Sequence, residues 1–114
     1  MKKVLVTGGA GFIGSNLVDA LIKRGVEVVI IDNLSTGKLG NINKNALFLK
    51  HDLCSLTSKD FIKILDGVDT IFHLAALARV QPSINDPIPY NDANVNATLS
   101  VLYAAHKAGI NRVV

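Results

Sequence analysis

Short apolar runs alternate along this chain with longer stretches in which apolar positions recur every three or four residues. The runs cover residues 3–7, 26–31, 46–50, 70–74 and 111–114, and each reads as a strand. Between them the spacing predicts helices. Ile13, Leu17, Val18, Leu21 and Ile22 form a buried stripe over residues 12–24, with Gly25 as the stop. Phe61, Ile62 and Leu65 do the same over residues 58–65, before the turn Asp66-Gly67. Val95, Leu99, Leu102 and Tyr103 recur at i, i+4, i+7 and i+8 of a helix from Pro89 or Tyr90 to Ala108, so Tyr103 is expected to face the core. Gly109 ends that helix. Residues 33–45, rich in Gly and Asn, show no apolar period and read as a polar loop, and a segment holding Pro82, Pro87 and Pro89 leads into the last helix. Strands alternating with crossover helices imply an α/β fold. The expectation is a doubly wound parallel sheet with helices on both faces and strand order 3-2-1-4-5.

The first strand runs into Gly8-Gly9-Ala10-Gly11-Phe12-Ile13-Gly14, and the second ends on Asp32. Strand, glycine turn, helix, strand and acid come in the order of a dinucleotide fingerprint, with Asp32 close to the roughly 20-residue offset expected. Gly8 and Gly9 are expected at positive φ in a tight turn, Gly11 has no Cβ to block a pyrophosphate, and Gly14 lets the helix lie close on the sheet. Amides at the helix start would point at the phosphates. Asp32 can accept from both adenosine ribose hydroxyls and would repel a 2′-phosphate, and Asn33-Leu34-Ser35 brings no arginine, so NAD is favoured over NADP. The competing reading is a flavodoxin-like turn whose glycines serve packing only. Ligands of such sheets lie beyond the carboxyl ends of the strands. There Asp52 can accept from the adenine amino group, with Leu53 against the ring, or can merely begin a turn. Small residues in Leu74-Ala75-Ala76-Leu77-Ala78 leave room toward the nicotinamide, and Arg79 stands near where the nicotinamide would lie or serves in a surface or structural ion pair.

Composition narrows the classes. At 114 residues and 49% hydrophobic content the chain makes one domain with a core. No apolar run spans a bilayer and no basic-then-apolar leader opens the chain, so a soluble cytoplasmic protein is expected, with no membrane partner. A net charge of +3, from lysines spread along the chain without interleaved aromatics, gives a mild bias toward anions and no nucleic-acid surface. Cys54 is the one cysteine, so no internal disulfide forms; it reads as a small residue after strand three or, less readily, as a nucleophile. His51, His73 and His106 are expected to bond backbone or solvent, and none has metal-ligand spacing.

Five segments together resemble the extended short-chain dehydrogenase/reductases: Thr7-Gly8-Gly9-Ala10-Gly11-Phe12-Ile13-Gly14-Ser15, Asp32-Asn33-Leu34-Ser35-Thr36-Gly37, His51-Asp52-Leu53, Phe72-His73-Leu74-Ala75-Ala76 and Asn94-Val95-Asn96-Ala97-Thr98-Leu99. Within them the chain is most similar to the NAD-dependent nucleotide-sugar epimerases and dehydratases, and the segment from Ala76 to Pro87 looks most like UDP-hexose 4-epimerases. The resemblance implies a Rossmann domain over residues 1–114, incomplete at its C-terminus, with the rest of that domain and the substrate domain absent. It implies NAD as cofactor, held by Gly8, Gly11, Phe12, Ile13, Gly14, Asp32 to Gly37, Asp52, Leu53, Leu74 to Leu77 and Asn94. Arg79 would meet the substrate, a UDP-hexose, and the intact enzyme would be a homodimer using the helix face around Leu99 to Lys107.

The implied reaction starts when a tyrosine phenolate, kept acidic by a lysine four residues on, removes the proton from the sugar 4-hydroxyl as C4 gives hydride to NAD. The 4-keto sugar turns over and takes the hydride back on its other face. In the family the tyrosine, its lysine and a Ser or Thr follow strand five, so no catalytic residue is expected in this chain. Tyr103-Ala104-Ala105-His106-Lys107 has the Tyr-x-x-x-Lys spacing but lies on the preceding helix, where it reads as packing. Three functions follow: the cofactor part of a 4-epimerase, the same part of a dehydratase, decarboxylase or reductase, or a non-catalytic NAD-binding module.

Overall fold

The computed structural model describes residues 1–78 and 80–114. Five strands, β1 Lys3–Thr7, β2 Glu27–Asp32, β3 Leu47–Lys50, β4 Thr70–His73 and β5 Arg112–Val113, pair in one parallel sheet of order β3-β2-β1-β4-β5. The 3-2-1-4-5 order is thus the one expected. In register, Thr7 lies between Ile31 and His73, so the carboxyl ends of the three central strands finish level. That level edge is where side chains and turns from several crossovers meet.

Alternation along each strand builds two cores. Leu5, Val29, Ile31 and Ile71 point to one face, where they meet Phe61 of α2 (Ser58–Ile64), Leu65 at its C-cap and Val101 of α5 (Ala97–Ala108). Val4, Val6, Val28 and Ile30 point to the other, under Val18 and Leu21 of α1 (Phe12–Lys23). Thr57 caps α2 by accepting from the Asp60 amide, and Gly109, at φ +73°, ends α5 while the Ile110 amide donates back to Ala105. None of the helices among the described residues is long and apolar enough to cross a membrane.

The structure corrects three local expectations. On α5 the inward line is Ala97, Val101, Ala104 and Ala105, whereas Leu99 is 66% and Tyr103 49% exposed. Small residues let the helix close on the sheet, and a π turn over Asp92–Asn96 shifts the phase of Val95 relative to the helix after it. Tyr103 therefore does not face the core; the Lys107 ammonium lies 5.6 Å from its ring centre. Ile13 leaves the α1 stripe as well, at 70% exposed. The proline segment, finally, is helical earlier than its composition suggests, as α3 (Val80–Asn85) and α4 (Pro87–Asn91). Pro82, Pro87 and Pro89 all fall in first turns, where the missing N–H has no helical partner to lose.

Candidate functional site

A cleft of about 740 Å³ opens at the carboxyl ends of β1 to β4. Its floor is the β1–α1 turn. Gly8, at φ +75°, sits so close to the segment after β4 that a Cβ there would lie 2.8 Å from the Ala75 nitrogen. Gly9 has no positive φ, contrary to expectation; a Cβ there would instead strike the Ile30 side chain. At Gly14 a Cβ would run into the Gly8 carbonyl, which is why helix and turn can touch. Gly11 differs from all three: a Cβ there would meet only the Gly8 oxygen, at 3.4 Å, so its open side faces the cleft.

Gly11 is also the N-cap of α1, with no side chain capping the helix and no acid in its first turn. The first amides and the positive end of the helix dipole are therefore presented to the cleft without competition. Phe12, 83% exposed, and Ile13 line the same mouth. Two large apolar side chains left in water beside a cleft are groups that a bound molecule would cover.

Asp32 ends β2 and is 8% exposed. Its Oδ2 accepts from the Ala10 amide at 3.0 Å and its Oδ1 from the Leu34 amide at 2.8 Å. The carboxylate is thus fixed in direction at the edge of the cleft it lines, and each oxygen keeps further acceptor capacity. The Ala10 carbonyl is gripped in turn by the Lys38 amide at 3.1 Å and the Asn41 side-chain amide at 3.0 Å. The polar loop after β2 therefore braces the glycine turn, and Asn33, Ser35, Thr36 and Gly37 form one cleft wall. Leu34, at φ +60°, gives its amide to Asp32 but is not part of the lining.

Asp52 and Leu53 line the far end. Asp52 does begin a turn, since its Oδ1 accepts from the Cys54 amide at 2.9 Å, yet it still faces the cleft. Leu53 belongs to the core as well, at 6% exposed. Cys54 sits beside them with its thiol donating to the Asp92 carbonyl at 3.0 Å. Burial, then the charges of Asp52 and Asp92, push that thiol's pKa up, which disfavours a nucleophilic thiolate.

Leu74, Ala75, Ala76 and Leu77 form the wall after β4. Asn94, expected against the cofactor, is not in the lining; its side chain clamps Leu77, accepting from the Leu77 amide at 2.9 Å and donating to its carbonyl at 2.8 Å. Arg79 lies outside the described residues. Ala78 lines the cleft with the Leu74–Leu77 run, and His51, Pro89, Asp92 and Ala93 do so without having been foreseen. Ala78 merely continues the small-residue run, whereas Pro89, Asp92 and Ala93 arrive by tertiary packing that no local pattern announces. His73 is bonded to two threonine hydroxyls rather than to backbone or solvent. Neither Tyr90 nor Tyr103 reaches the cleft.

Comparison with known proteins places this arrangement. A UDP-glucose 4-epimerase of Streptomyces lividans is 39% identical over 116 residues, which is 98% of this chain and 34% of that protein. The structure of a UDP-N-acetylglucosamine 4-epimerase from Methanobrevibacter ruminantium, in complex with UDP-N-acetylmuramic acid, superposes with a TM-score of 0.89 at 46% identity, covering 98% of this chain and 36% of that one. The crystal structure of the Thermus thermophilus UDP-glucose 4-epimerase in complex with NAD gives 0.88 at 37% identity, covering 97% and 36%. The chain thus spans about a third of the length of these relatives. The profile of the NAD dependent epimerase/dehydratase family matches residues 4–114, and the chain belongs to that family.

Proposed function

We propose that this chain is the NAD-binding portion of a nucleotide-sugar 4-epimerase of the UDP-glucose or UDP-N-acetylglucosamine type. The observation that carries the reading is the pairing of an uncapped helix N-terminus at Gly11 with the fixed carboxylate of Asp32 across one cleft. The residues fit the cofactor. At Gly11 any larger side chain would fill the space in front of the α1 amides, which is the space a pyrophosphate needs. Asp32 has lone pairs left for a ribose diol, while Asp52 and Leu53 offer an acceptor and an apolar surface for adenine. Leu74 to Leu77 form the wall along which the nicotinamide half would lie.

When bound, NAD supplies the hydride acceptor and donor for transient oxidation at the sugar C4. The chain's own residues bind and orient. Phe12 and Ile13, exposed at the cleft mouth, would shield a bound cofactor from water, and Thr36 and Gly37 would help hold its adenosine. Ser35 and Asn33 hold their loop by an amide-to-side-chain bond of 3.0 Å. Proton transfer is not assigned to either tyrosine of this chain. We therefore expect residues 1–114 alone to be inactive, with the proton-transferring groups supplied by further sequence, as suits a chain that spans about a third of its relatives. The substrate is a UDP-hexose, with Arg79 as its candidate contact. The working location is the cytoplasm, and the working form is a homodimer that covers the exposed face of Leu99, Leu102 and Tyr103.

The experiment is NAD binding followed by turnover. The reading expects residues 1–114 to bind NAD without converting UDP-glucose, and a longer chain carrying the following sequence to interconvert UDP-glucose and UDP-galactose without added cofactor. Conversion of a UDP-sugar to a 4-keto-6-deoxy or decarboxylated product by that longer chain would move the reaction to a dehydratase or decarboxylase.

A further inference from the structure

His73 stands at the junction of β1, β4 and α5, and its ring protons can be assigned by counting donors and acceptors. The buried Thr7 hydroxyl oxygen accepts from the Leu74 and Ala75 amides, each at 3.1 Å. Those two bonds occupy its lone pairs, so its single hydrogen is left for the His73 Nδ1 at 2.8 Å. Nδ1 must then be an acceptor, and the ring proton sits on Nε2. From there it is donated to the Thr98 hydroxyl at 2.9 Å, which donates onward to the Asn94 carbonyl at 2.7 Å. Asn94 holds Leu77 by both its side-chain atoms. One chain of hydrogen bonds thus fixes the cleft wall at both ends, at Leu74-Ala75 through Thr7 and at Leu77 through Asn94.

We propose that His73 is a positioning residue, held as the neutral Nε2–H tautomer, that keeps the Leu74–Leu77 wall in its ligand-ready form, and that protonating His73 loosens the wall. A proton added to Nδ1 would set two donors face to face. The Thr7 hydroxyl would have to turn, and either the Ala75 amide would lose its acceptor or the Leu74 amide would be left with the Thr7 carbonyl alone, at 3.2 Å. Among the described residues, no neighbouring charge opposes or favours this. Lys3 stands at the far end of β1, Asp69 at the far end of β4 under the Lys2 and Lys3 amides, and Arg112 of β5 in register with Thr70. On the helix side Asp92 takes the Asn96 amide, and His106 and Lys107 lie in the last turn of α5. Burial alone acts on the ring, lowering its pKa below the ordinary 6.5. A lowered histidine value means that the unfolded chain binds the proton first. The ring's contribution to the wall is complete above 6.5 and is lost as pH falls from there through the lower folded-state pKa.

The coupling to cofactor rests on reading the cleft as a dinucleotide site, so the test has two separate readouts. Nitrogen-15 NMR of the full 114-residue chain gives the His73 tautomer and its titration, together with the Leu74, Ala75 and Leu77 amides. We expect a neutral Nε2–H ring at pH 7, with these amides shifting along the ring's own titration curve. Thr98→Val should give a mixed tautomer and broaden the Leu77 amide, and Thr98→Ser should restore both. An Nδ1–H or charged ring at pH 7, or wall amides that ignore the ring's titration, would overturn the proposal. NAD affinity measured over the same pH range should fall several-fold as His73 takes its proton. Affinity that does not change while ring and amides move together would show that the loosened wall is not the ligand-ready element, which also overturns it. An absence of NAD binding at every pH, with ring and amides behaving as expected, would sink the dinucleotide reading and leave the positioning of the wall supported.

Discussion

Asp32 has two tasks, and a substitution separates them. Its carboxylate orients the glycine turn and the following loop through the Ala10 and Leu34 amides, and it presents acceptors to the cleft. Asp32→Ala should weaken NAD binding by about 1–3 kcal/mol in a calorimetric titration, the scale for charge-assisted bonds. It should also lower unfolding stability by about 1–3 kcal/mol in urea, because two amides at a buried site lose their partner. The glycines sort in the same way. Gly11→Val should abolish NAD binding at a stability cost of about 1 kcal/mol, since its φ of −79° and ψ of 175° suit any residue and its surroundings are open. Gly14→Ala should instead destabilise the fold by about 1–3 kcal/mol, because the turn must move off the Gly8 carbonyl. If urea melts rank these two variants in the opposite order, the division between open and packed glycines is wrong.

At the scale of elements, the strands and the first two helices were legible because one period accounts for each. The last helix was not, because two apolar lines run along it. Val95, Leu99, Leu102 and Tyr103 share the helical spacing with Ala97, Val101, Ala104 and Ala105, and periodicity cannot choose between them. Size decides: the smaller set allows close approach to the sheet, and the larger stays in water. Val101→Ala should therefore cost about 2 kcal/mol, and Leu99→Ala no more than about 0.5, by urea unfolding. The exposed line has a second consequence. We expect the chain to self-associate at high concentration, and Leu99→Lys with Leu102→Lys to shift it toward monomer in sedimentation. A wild-type chain that stays monomeric at millimolar concentration would show that this face needs no cover.

For the whole molecule, strand order and the position of the cleft followed from the alternation of elements, since a right-handed crossover leaves few topologies and puts loops at the carboxyl edge. Most of the candidate site was legible for the same reason: Gly8, Gly11, Asp32, Asp52 and the Leu74–Leu77 run all stand at or just past strand ends. What remained hidden depends on contacts between distant segments. Asn41 reaching Ala10, Asn94 clamping Leu77 and Thr98 meeting His73 leave no local signature. The central claim is that Asp32 and the uncapped α1 terminus select a dinucleotide without a 2′-phosphate. Parallel calorimetric titrations of the folded chain with NAD and with NADP test it most directly. The account predicts saturable NAD binding that is tighter than NADP binding and is lost or weakened in Asp32→Ala; equal or tighter binding of NADP would contradict it.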